Sequence, residues 1–465
     1  MRRRFWCARR RRRPPPDGAF GFVKAGAAWQ SCAMQAPDRT APARFGERAA
    51  RRGVFAWCFY DFAQSAFGTI VTTFIFAPYF IRAVAPDATE GTVLWGHMTS
   101  IAAFCVAVAS PILGSIADRG GRRKPWIATF TAVTAVLSCG LYFVAPEPET
   151  VWPALILVGA ALVSSELAWV FYNSMLPGLA SRERVGRISG WAWGLGYAGG
   201  MLSLIAALVF FVREDAPLKF LDSDGGLQSV RATAVLAGLW FALFSLPLFL
   251  FTQDRPKGPL PMRGAIFSGL RTLAATLRNL GQHRNIVWLL VSWLFSANGF
   301  GTLFAFAGVY AAGTFGMGLD EITLLAIGVN LTAGIGAATF GWIDDRLGPK
   351  KTILLALVAL LAIGTLLVAT TDKTVFWAGG LALGVFIGPA QSASRSFMAR
   401  LVPEGMEAQM FGLYSLSGRV TAFIGPLVLA LVTQAYDSQR AGMASILGFF
   451  VLGIAALLFV REPPR

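Results

Sequence analysis

The sequence predicts an all-α polytopic membrane protein with twelve transmembrane helices in two six-helix bundles. Of its 465 residues, 55% are hydrophobic and 14% are charged, whereas about a quarter of the residues in a soluble domain are charged. Twelve apolar runs are long enough to be spanning helices, since about 20 residues cross the hydrocarbon core. The motif GSIADRGGRRK at 114–124 returns as GWIDDRLGPKK at 341–351, which is typical of transporters built from tandem halves.

Residues 1–52 are predicted to form a disordered basic arm on the cytoplasmic side. The chain has a net charge of +16, and residues 1–33 supply half of it, with nine Lys or Arg against one Asp. Such an arm either attracts anionic lipid or nucleic acid, or is simply solvated. A third interpretation is that residues 1–33 are upstream sequence wrongly joined to the protein, with Met34 as the true start.

The run VFAWCFYDFAQSAFGTIVTTFIFAPYFIR at 54–82 is the first predicted span. Asp61, Ser65, Gly68 and Thr72 lie at i, i+4, i+7 and i+11, so they share one helical face. A carboxylate inside a lipid-spanning helix costs at least about 2.5 kcal/mol on insertion scales, so it should face protein or water. This polar face therefore predicts a helix that lines a polar path through the membrane.

Eleven further apolar runs complete the two halves. They are placed at 93–117, 126–145, 152–174, 189–212, 231–251, 286–312, 321–343, 352–370, 374–394, 410–435 and 441–460. The first bundle then occupies residues 53–251 and the second residues 286–461, with a cytoplasmic linker at 252–285. A shorter repeat supports the division, since AFGT at 66–69 resembles GFGT at 299–302.

Lys and Arg collect in alternate loops, and this asymmetry predicts the orientation in the membrane. The basic loops hold Arg119, Arg122, Arg123, Lys124, Arg182, Arg184, Arg187, Arg346, Lys350, Lys351, Arg395 and Arg400. The other loops read APDATEG, APEPET and TDKT, and they are short and mostly acidic or neutral. The basic side is therefore predicted to be cytoplasmic, with both termini on it, and a bacterial inner membrane is the expected location.

Residues 262–281 predict an amphipathic helix within the linker. Its apolar face is formed by Ile266, Leu270, Leu273, Leu277 and Leu280. Arg271 and Arg278 lie well off that face. Two alternatives remain open: the helix lies flat on the membrane surface, or it packs on the body of the transporter.

The loop after the second span predicts a gate. Cations just past a helix C-terminus complement its dipole and anchor it in the headgroups. Asp118 is the exception, because an acid is unfavourable there, so we expect it against the N-terminus of a neighbouring helix or against an arginine. The gate candidates in the two copies of the motif are Asp118, Arg119, Arg122, Arg123, Asp345, Arg346 and Lys350.

These loops resemble the signature loop of the major facilitator superfamily. The resemblance implies the fold of that superfamily, in which two bundles of six helices surround a central cavity. In that family the Asp is taken to latch the cytoplasmic gate, which implies this role for Asp118. The second copy departs from the pattern by having Pro349 and a doubled acid, Asp344-Asp345.

A narrower resemblance covers about residues 53–461. The motifs that carry it are YDFAQSAF at 60–67, FYNSMLP at 171–177, SGWAWGLGY at 189–197, SASRS at 392–396 and FGLYSLSGR at 411–419. They resemble the vacuolar amino-acid effluxers linked to autophagy and their bacterial relatives. Gln64 stands where relatives usually carry Asn, a change that keeps an amide. The resemblance implies export of amino acids.

Ionisable side chains inside the spans are the main candidates for substrate binding or coupling. Glu166 lies mid-span, with Asn173 two turns on along the same face. Asp61 or Glu166 is either a proton site that couples transport to the proton gradient or one half of a static ion pair, with Arg419 as the partner considered. Arg419 lies about ten residues into the eleventh span, and it either holds a substrate carboxylate by a bidentate contact or forms that ion pair.

Uncharged polar side chains complete the candidate site. They are Gln64, Ser65, Asn173, Tyr197, Asn298 and Gln391. Amides in apolar spans more often bond to a neighbouring helix, for well under about 2 kcal/mol. Tyr197 lies deep in the fifth span and is a candidate for the cavity wall.

The sequence lacks the motifs of a soluble active site. It has no GK[ST] phosphate loop, no metal-ligand spacing and no nucleophile elbow, so no enzyme activity, cofactor or metal is predicted. The basic charge is assigned to membrane topology, and no nucleic-acid partner is expected.

The predicted function is secondary active transport, in which one bundle rocks against the other. The expected partners are a small-molecule substrate, the lipid bilayer and protons, and the chain is expected to act as a monomer. Amino-acid efflux is the favoured activity. The alternatives are an exporter of drugs or other metabolites with the same fold, and a non-transporting membrane sensor.

Overall fold

The computed structural model describes residues 47–222, 227–258 and 261–462. Most of the predicted arm at 1–52 lies outside them, but residues 47–52 are helical, so the first helix begins within the predicted arm. In the described part of the chain, twelve helices are long and apolar enough to cross a membrane. They are α1 Arg51–Val84, α2 Ala88–Gly120, α3 Lys124–Phe143, α4 Pro148–Leu179, α5 Val185–Val212, α6 Gln228–Phe251, α7 Gly281–Phe315, α8 Asp320–Leu347, α9 Pro349–Ala369, α10 Lys373–Leu401, α11 Glu407–Tyr436 and α12 Gln439–Leu458. The twelve predicted spans are confirmed, and most helices extend a few residues beyond the expected ends.

The two halves of the chain pack in the same pattern. In the first half α1 contacts α5 and α6, and α3 contacts α4 and α6. In the second half α7 contacts α11 and α12, and α9 contacts α10 and α12. The prediction of two six-helix bundles is therefore confirmed. Between the bundles α2 packs on α11 and α5 packs on α8, and these two pairs are equivalent when the halves are exchanged.

We call the membrane side with the Lys- and Arg-rich loops the basic face, where α2 and α8 end and α5 and α11 begin. The bundles approach closely in the half next to this face. A Cβ added to Gly114 of α2 would lie 2.3 Å from the carbonyl oxygen of Ala408 in α11. A Cβ added to Gly190 of α5 would lie 2.3 Å from the carbonyl oxygen of Ala337 in α8. Glycine is required at both positions, because two helix backbones meet there.

Replacing Gly190 with alanine should open the basic face. The methyl group cannot stay 2.3 Å from the Ala337 carbonyl, so α5 and α8 must separate, and overpacking of this kind costs about 1–3 kcal/mol. The probe is Ser110→Cys in a background without native cysteines, since Ser110 is buried between α2 and α11 and donates to the Gly412 carbonyl at 3.0 Å. We expect its reaction with a water-soluble thiol reagent to accelerate by about tenfold.

The matched control for this change is Gly448→Ala in α12. An added Cβ at Gly448 meets nothing within 4 Å, so the same methyl group should leave the probe's reactivity unchanged. Equal reactivity in the Gly190→Ala and Gly448→Ala variants would show that the α5–α8 contact does not hold the basic face closed.

Two helices are irregular near the middle of the membrane. Helix α1 becomes π-helical over Phe67–Phe74 and breaks at Ile75. Helix α11 consists of the two segments Glu407–Arg419 and Ile424–Tyr436, and Pro426 lacks the N–H that would continue the helix across the break. Irregular backbone at membrane depth is tolerated where it is buried in protein or lines a water-filled cavity. Both regions are therefore candidate walls of a transport path.

Asn298 of α7, a predicted substrate candidate, supports the break in α11. Its Nδ2 donates to Thr421 Oγ1 at 2.7 Å, and its Oδ1 accepts the N–H of Gly425 at 3.3 Å. These bonds satisfy polar groups that the interrupted helix leaves free. Asn298 thus makes a hydrogen bond to a neighbouring helix, which was the more common role expected for an amide in an apolar span.

The linker helix, Met262–Arg278, packs on α2. A Cβ added to its Gly269 would lie 2.9 Å from the backbone nitrogen of Ile116. Of the two alternatives for this helix, packing on the transporter body is therefore observed. Leu270 and Leu277 of the predicted apolar face remain 41% and 47% exposed, so that face is only partly covered by protein.

Candidate functional site

Asp118 joins the two bundles at the basic face. Its carboxylate accepts the backbone N–H groups of Ala408 at 3.0 Å and Gln409 at 2.8 Å, in the first turn of α11. The guanidinium of Arg123 donates to the same carboxylate. A negative group is favourable at a helix N-terminus, because unpaired N–H groups and the helix dipole both attract it. Asp118 therefore contacts both of the partners expected for it, a helix N-terminus and an arginine.

Asp345 makes the equivalent contact at the end of α8. It accepts the N–H of Gly186 at 2.9 Å in the first turn of α5, and the side-chain Nε of Arg187 at 2.6 Å. The preceding Asp344 is buried and accepts from Arg400 of α10 at 3.0 Å. The doubled acid thus serves two purposes: Asp345 joins the bundles, and Asp344 pairs within the second bundle.

The other gate candidates do not join the bundles in the described part of the chain. Arg119 donates to Thr272 of the linker helix at 2.6 Å. Arg122 and Arg346 are exposed. The Nζ of Lys350 donates at 2.9 Å to a carbonyl at the end of α12, within the second bundle. Among these gate candidates, the contacts between the bundles at the basic face are made by the two acids and their partners.

Arg255, which follows α6, extends the charged contact at the start of α11. It forms two hydrogen bonds with Glu407, at 2.7 and 2.6 Å. Burial alone would lower the pKa of Arg255, but the carboxylate of Glu407 outweighs burial and raises that pKa. Burial lowers the pKa of Arg123, against the attraction of Asp118. These opposed effects show that the cluster depends on close pairing of its charges.

Replacing Asp118 with alanine should shift the protein toward a state with an open basic face. The change removes two backbone hydrogen bonds and leaves buried Arg123 without its nearest counter-ion, a loss of about 1–3 kcal/mol. We expect the Ser110→Cys probe to react about tenfold faster. Asp215→Ala is the matched control, because the Asp215 side chain is 71% exposed and pairs only with the nearby Arg213 in the described structure. No difference between the two variants would count against a latch at Asp118.

Arg395 of α10 reaches across the interface into the first bundle. Its Nη1 donates to Oδ2 of Asp61 in α1 at 2.8 Å and to Oδ1 of Asn173 in α4 at 3.2 Å. Its Nε and Nη2 donate to the hydroxyl and carbonyl oxygens of Ser189 in α5, at 2.9 and 2.7 Å. One arginine of the second bundle therefore contacts three helices of the first.

The Asp61–Arg395 pair is sealed from solvent. Arg395 is 0% and Asp61 6% exposed, and the rings of Trp57, Tyr172 and Trp193 lie 5.4, 5.9 and 5.5 Å from the guanidinium carbon. Burying two charges costs several kcal/mol per ion unless close pairing and further hydrogen bonds compensate. All three guanidinium nitrogens have an acceptor here, but only while the bundles are in contact.

Two expectations for this region need correction. The sequence pattern placed Arg395 and Arg400 in a basic loop, which is wrong, because α10 continues to Leu401 and both arginines lie inside it. Asp61 was expected on a hydrated path and was considered as a partner of Arg419. In this conformation Asp61 is buried, and its partner is Arg395. The available signal was the motif SASRS at 392–396, which contains Arg395 within the family resemblance.

Glu166 of α4 and Arg419 of α11 form a further charged contact between the bundles. Nη2 of Arg419 lies 2.5 Å from Oε2 of Glu166, and their side chains are 31% and 16% exposed. Arg419 lies about 18 Å along α11 from the basic face, by the helical rise per residue, and it ends the first segment of that helix. This pair is therefore near mid-membrane and, unlike Asp61–Arg395, is partly accessible.

Gly68 and Gly301 each adjoin open space in the described structure. A Cβ added to Gly68 of α1 or Gly301 of α7 would meet nothing within 4 Å, and these are the equivalent glycines of the AFGT and GFGT repeats. Gly68 lies one turn beyond Gln64, which donates to the carbonyl of Ser165 at 3.2 Å, next to Glu166. Gly68 therefore lies one helical turn from a residue that contacts the neighbour of Glu166, and no described side chain fills the space beside it.

The remaining candidates make local or inter-helix bonds. Tyr197 donates to Gln391 at 3.0 Å and so links α5 to α10 across the interface. Ser65 donates within α1, to the carbonyl of Asp61 at 2.8 Å. The indole N–H of Trp193 is enclosed and has no hydrogen-bond partner among the described residues. Among the described residues no group of three or more His, Cys, Asp or Glu side chains is placed to hold a metal ion.

Comparison with known sequences finds related transporters. The family described as "Vacuole effluxer Atg22 like" matches residues 88–463. The MFS-type transporter YxiO of Bacillus subtilis (strain 168) is 25% identical over 415 residues, which cover 88% of this chain and 94% of YxiO. Autophagy-related protein 22-1 of Penicillium rubens is 27% identical over 300 residues, which cover 60% of this chain and 48% of that protein. The chain thus spans nearly all of the bacterial relative and about half of the fungal one.

Comparison with solved structures agrees on the fold. The major facilitator superfamily transporter FucP, in the outward conformation, superposes with a TM-score of 0.71 at 16% sequence identity. The match covers 90% of this chain and 100% of the FucP chain. At this identity the likeness shows the architecture alone, which is that of the major facilitator superfamily.

Proposed function

This chain belongs to the Atg22-like vacuole effluxer family, and from that premise we propose that it exports amino acids from the cytoplasm. Its general activity follows from its family and fold, which are those of secondary transporters rather than enzymes. It is an integral, multi-pass membrane protein that carries small molecules. The substrate class, the direction of transport and the coupling to protons are proposed here.

The Glu166–Arg419 pair is the observation that carries the proposal. An α-amino acid has a carboxylate and an ammonium on one carbon, so it can exchange the single contact of this pair for two contacts of its own. A guanidinium binds a carboxylate in a bidentate manner, and Glu166 supplies the charge that an ammonium needs. Because α4 and α11 belong to different bundles, each bundle would hold one end of the substrate, as alternating access around a fixed site requires.

The surroundings of the pair support a polar substrate. The Tyr197–Gln391 bond crosses the same interface, and the break in α11 begins directly after Arg419. Backbone groups at a broken helix are common ligands in the mid-membrane sites of secondary transporters.

The orientation in this proposal follows from the charges of the loops. Loops rich in Lys and Arg face the cytoplasm, so the basic face is cytoplasmic, and both ends of the spanning region lie on that side. The conformation described here is then closed toward the cytoplasm. A bacterial inner membrane fits the relation to YxiO, which is a bacterial protein.

We infer proton coupling from the two intramembrane acids, Glu166 and Asp61. A proton that enters from the side opposite the basic face would meet the partly exposed Glu166 before the sealed Asp61. Its transfer to Asp61 would neutralise the partner of Arg395 and weaken the contact that closes the basic face. Opening would then expose the site to cytoplasmic amino acids, in exchange for the proton.

Counterflow in proteoliposomes tests this function. Purified protein is reconstituted with unlabelled amino acids inside, and entry of labelled amino acids is measured with and without a pH gradient. We expect saturable exchange that the gradient accelerates and that amphiphilic drugs do not inhibit. Transport of drugs but not of amino acids would show that drugs, and not amino acids, are the substrate. Absence of any solute flux would favour a non-transporting sensor.

A further inference from the structure

A groove runs along the surface of α1, α5 and α8 next to the basic face. Its volume is about 1220 Å³, which exceeds the roughly 300–1,000 Å³ typical of small-molecule sites. Its wall is apolar, with Phe55, Trp191, Leu202, Leu331 and Ile335 among the lining residues. These five side chains are 38–63% exposed. The groove therefore suits a large ligand with a long apolar part.

Three arginines line the end of this groove at the basic face. They are Arg51 at the start of α1 and Arg184 and Arg187 at the start of α5. Arg184 is exposed, and the Arg187 side chain is 34% exposed while its Nε donates to Asp345. A guanidinium has five N–H donors, so Arg187 can bind a second anion without leaving Asp345.

We propose that this groove binds an anionic phospholipid from the leaflet that adjoins the basic face. The phosphate would lie among Arg51, Arg184 and Arg187, since arginine pairs with phosphate in a bidentate manner. The acyl chains would lie along the apolar wall. The combination of three positive charges at headgroup depth and an apolar wall below them matches the charge and shape of such a lipid.

The groove exists only while the basic face is closed. Its wall combines residues of the first bundle with Asn330, Gly334 and Ala338 of α8. The two parts meet closely, since a Cβ added to Gly194 of α5 would lie 3.0 Å from the Gly334 carbonyl oxygen. Separation of α5 from α8 would divide the groove. A lipid bound there would therefore stabilise the closed basic face, because a ligand favours the state that it binds better.

Native mass spectrometry tests the site directly. Protein is released from nanodiscs that contain equal amounts of phosphatidylglycerol and phosphatidylcholine, and the retained lipid is identified. We expect the wild type to retain phosphatidylglycerol preferentially, and Arg51→Gln or Arg184→Gln to lower that retention by about fivefold each. Arg346→Gln is the matched control, because Arg346 is exposed on the basic face and lies outside the groove. Equal losses of phosphatidylglycerol retention in all three variants would contradict lipid binding in this groove.

The conformational effect has its own readout. The Ser110→Cys probe should react several-fold more slowly in nanodiscs with phosphatidylglycerol than in pure phosphatidylcholine, when an uncharged thiol reagent is used. The Arg51→Gln/Arg184→Gln double variant should remove this difference. Equal probe rates in the two lipid compositions for the wild type would contradict the proposal that the bound lipid stabilises the closed basic face. Both measurements are made without substrate, so their outcome is independent of the proposed cargo.

Discussion

Replacing Arg395 with glutamine should shift the protein strongly toward an open basic face. The change leaves Asp61, which is 6% exposed, without its counter-ion in the closed state, whereas opening would let water reach the carboxylate. Breaking one side of a buried ion pair costs about 3–5 kcal/mol, which corresponds to at least about a hundredfold change in the equilibrium. The Ser110→Cys probe should therefore react at a rate close to that of an exposed thiol.

Companion variants separate this effect from general damage. Asp61→Asn should act in the same direction and should abolish gradient-driven transport while the protein stays folded. The Asp61→Asn/Arg395→Gln double variant should recover part of the closed state, because no unpaired charge remains. Arg440→Gln is the control, since Arg440 bonds to backbone carbonyls within the second bundle only. Equal probe rates in the single and double variants would contradict the proposal that the Asp61–Arg395 pair holds the basic face closed. Unchanged uptake by Asp61→Asn would contradict the coupling role of Asp61.

Arg419→Gln should strongly reduce amino-acid transport while the helices remain assembled. A hydrogen bond to a charged group is worth about 1.5–3 kcal/mol, so counterflow at limiting substrate should fall by roughly 10- to 100-fold. Stability should change little, because the pair is partly exposed and water can solvate Glu166 once its partner is lost. Counterflow and the thermal unfolding midpoint, measured on the same preparation, check both statements.

The control variants at this position separate charge from geometry. Arg419→Lys keeps the positive charge but loses the planar fork that binds a carboxylate, so it should transport weakly. Arg213→Gln removes an arginine whose side chain is 60% exposed, and it should behave as the wild type. Wild-type counterflow in Arg419→Gln would place the substrate elsewhere.

The fold could be predicted from the sequence because its determinants are local. Each apolar run specifies a spanning helix by length and composition, and the motif repeated at 114–124 and 341–351 identifies the two halves. The expected contacts of Asp118 also followed from local physics, since an acid at a helix C-terminus needs a partner from another element.

The site was only partly predictable, because its partners are distant in the sequence. Arg395 follows an apolar run, and long cationic side chains near the ends of spans usually extend to the membrane surface. Its acceptor Asp61 lies 334 residues away, and neither segment contains a sequence pattern that identifies the other as its partner. The pairing of Glu166 with Arg419 was one of several open alternatives, and only the packing of α4 against α11 selected it.

A competition experiment on wild-type proteoliposomes tests the role of the mid-membrane pair most directly. Counterflow of labelled leucine is measured against unlabelled leucine, isoamylamine, which lacks the carboxylate, and isocaproate, which lacks the ammonium. If Glu166 and Arg419 each hold one end of the cargo, leucine should compete at least tenfold better than either analogue. Inhibition by one singly charged analogue as strong as that by leucine would contradict a substrate held between the two bundles by both charges.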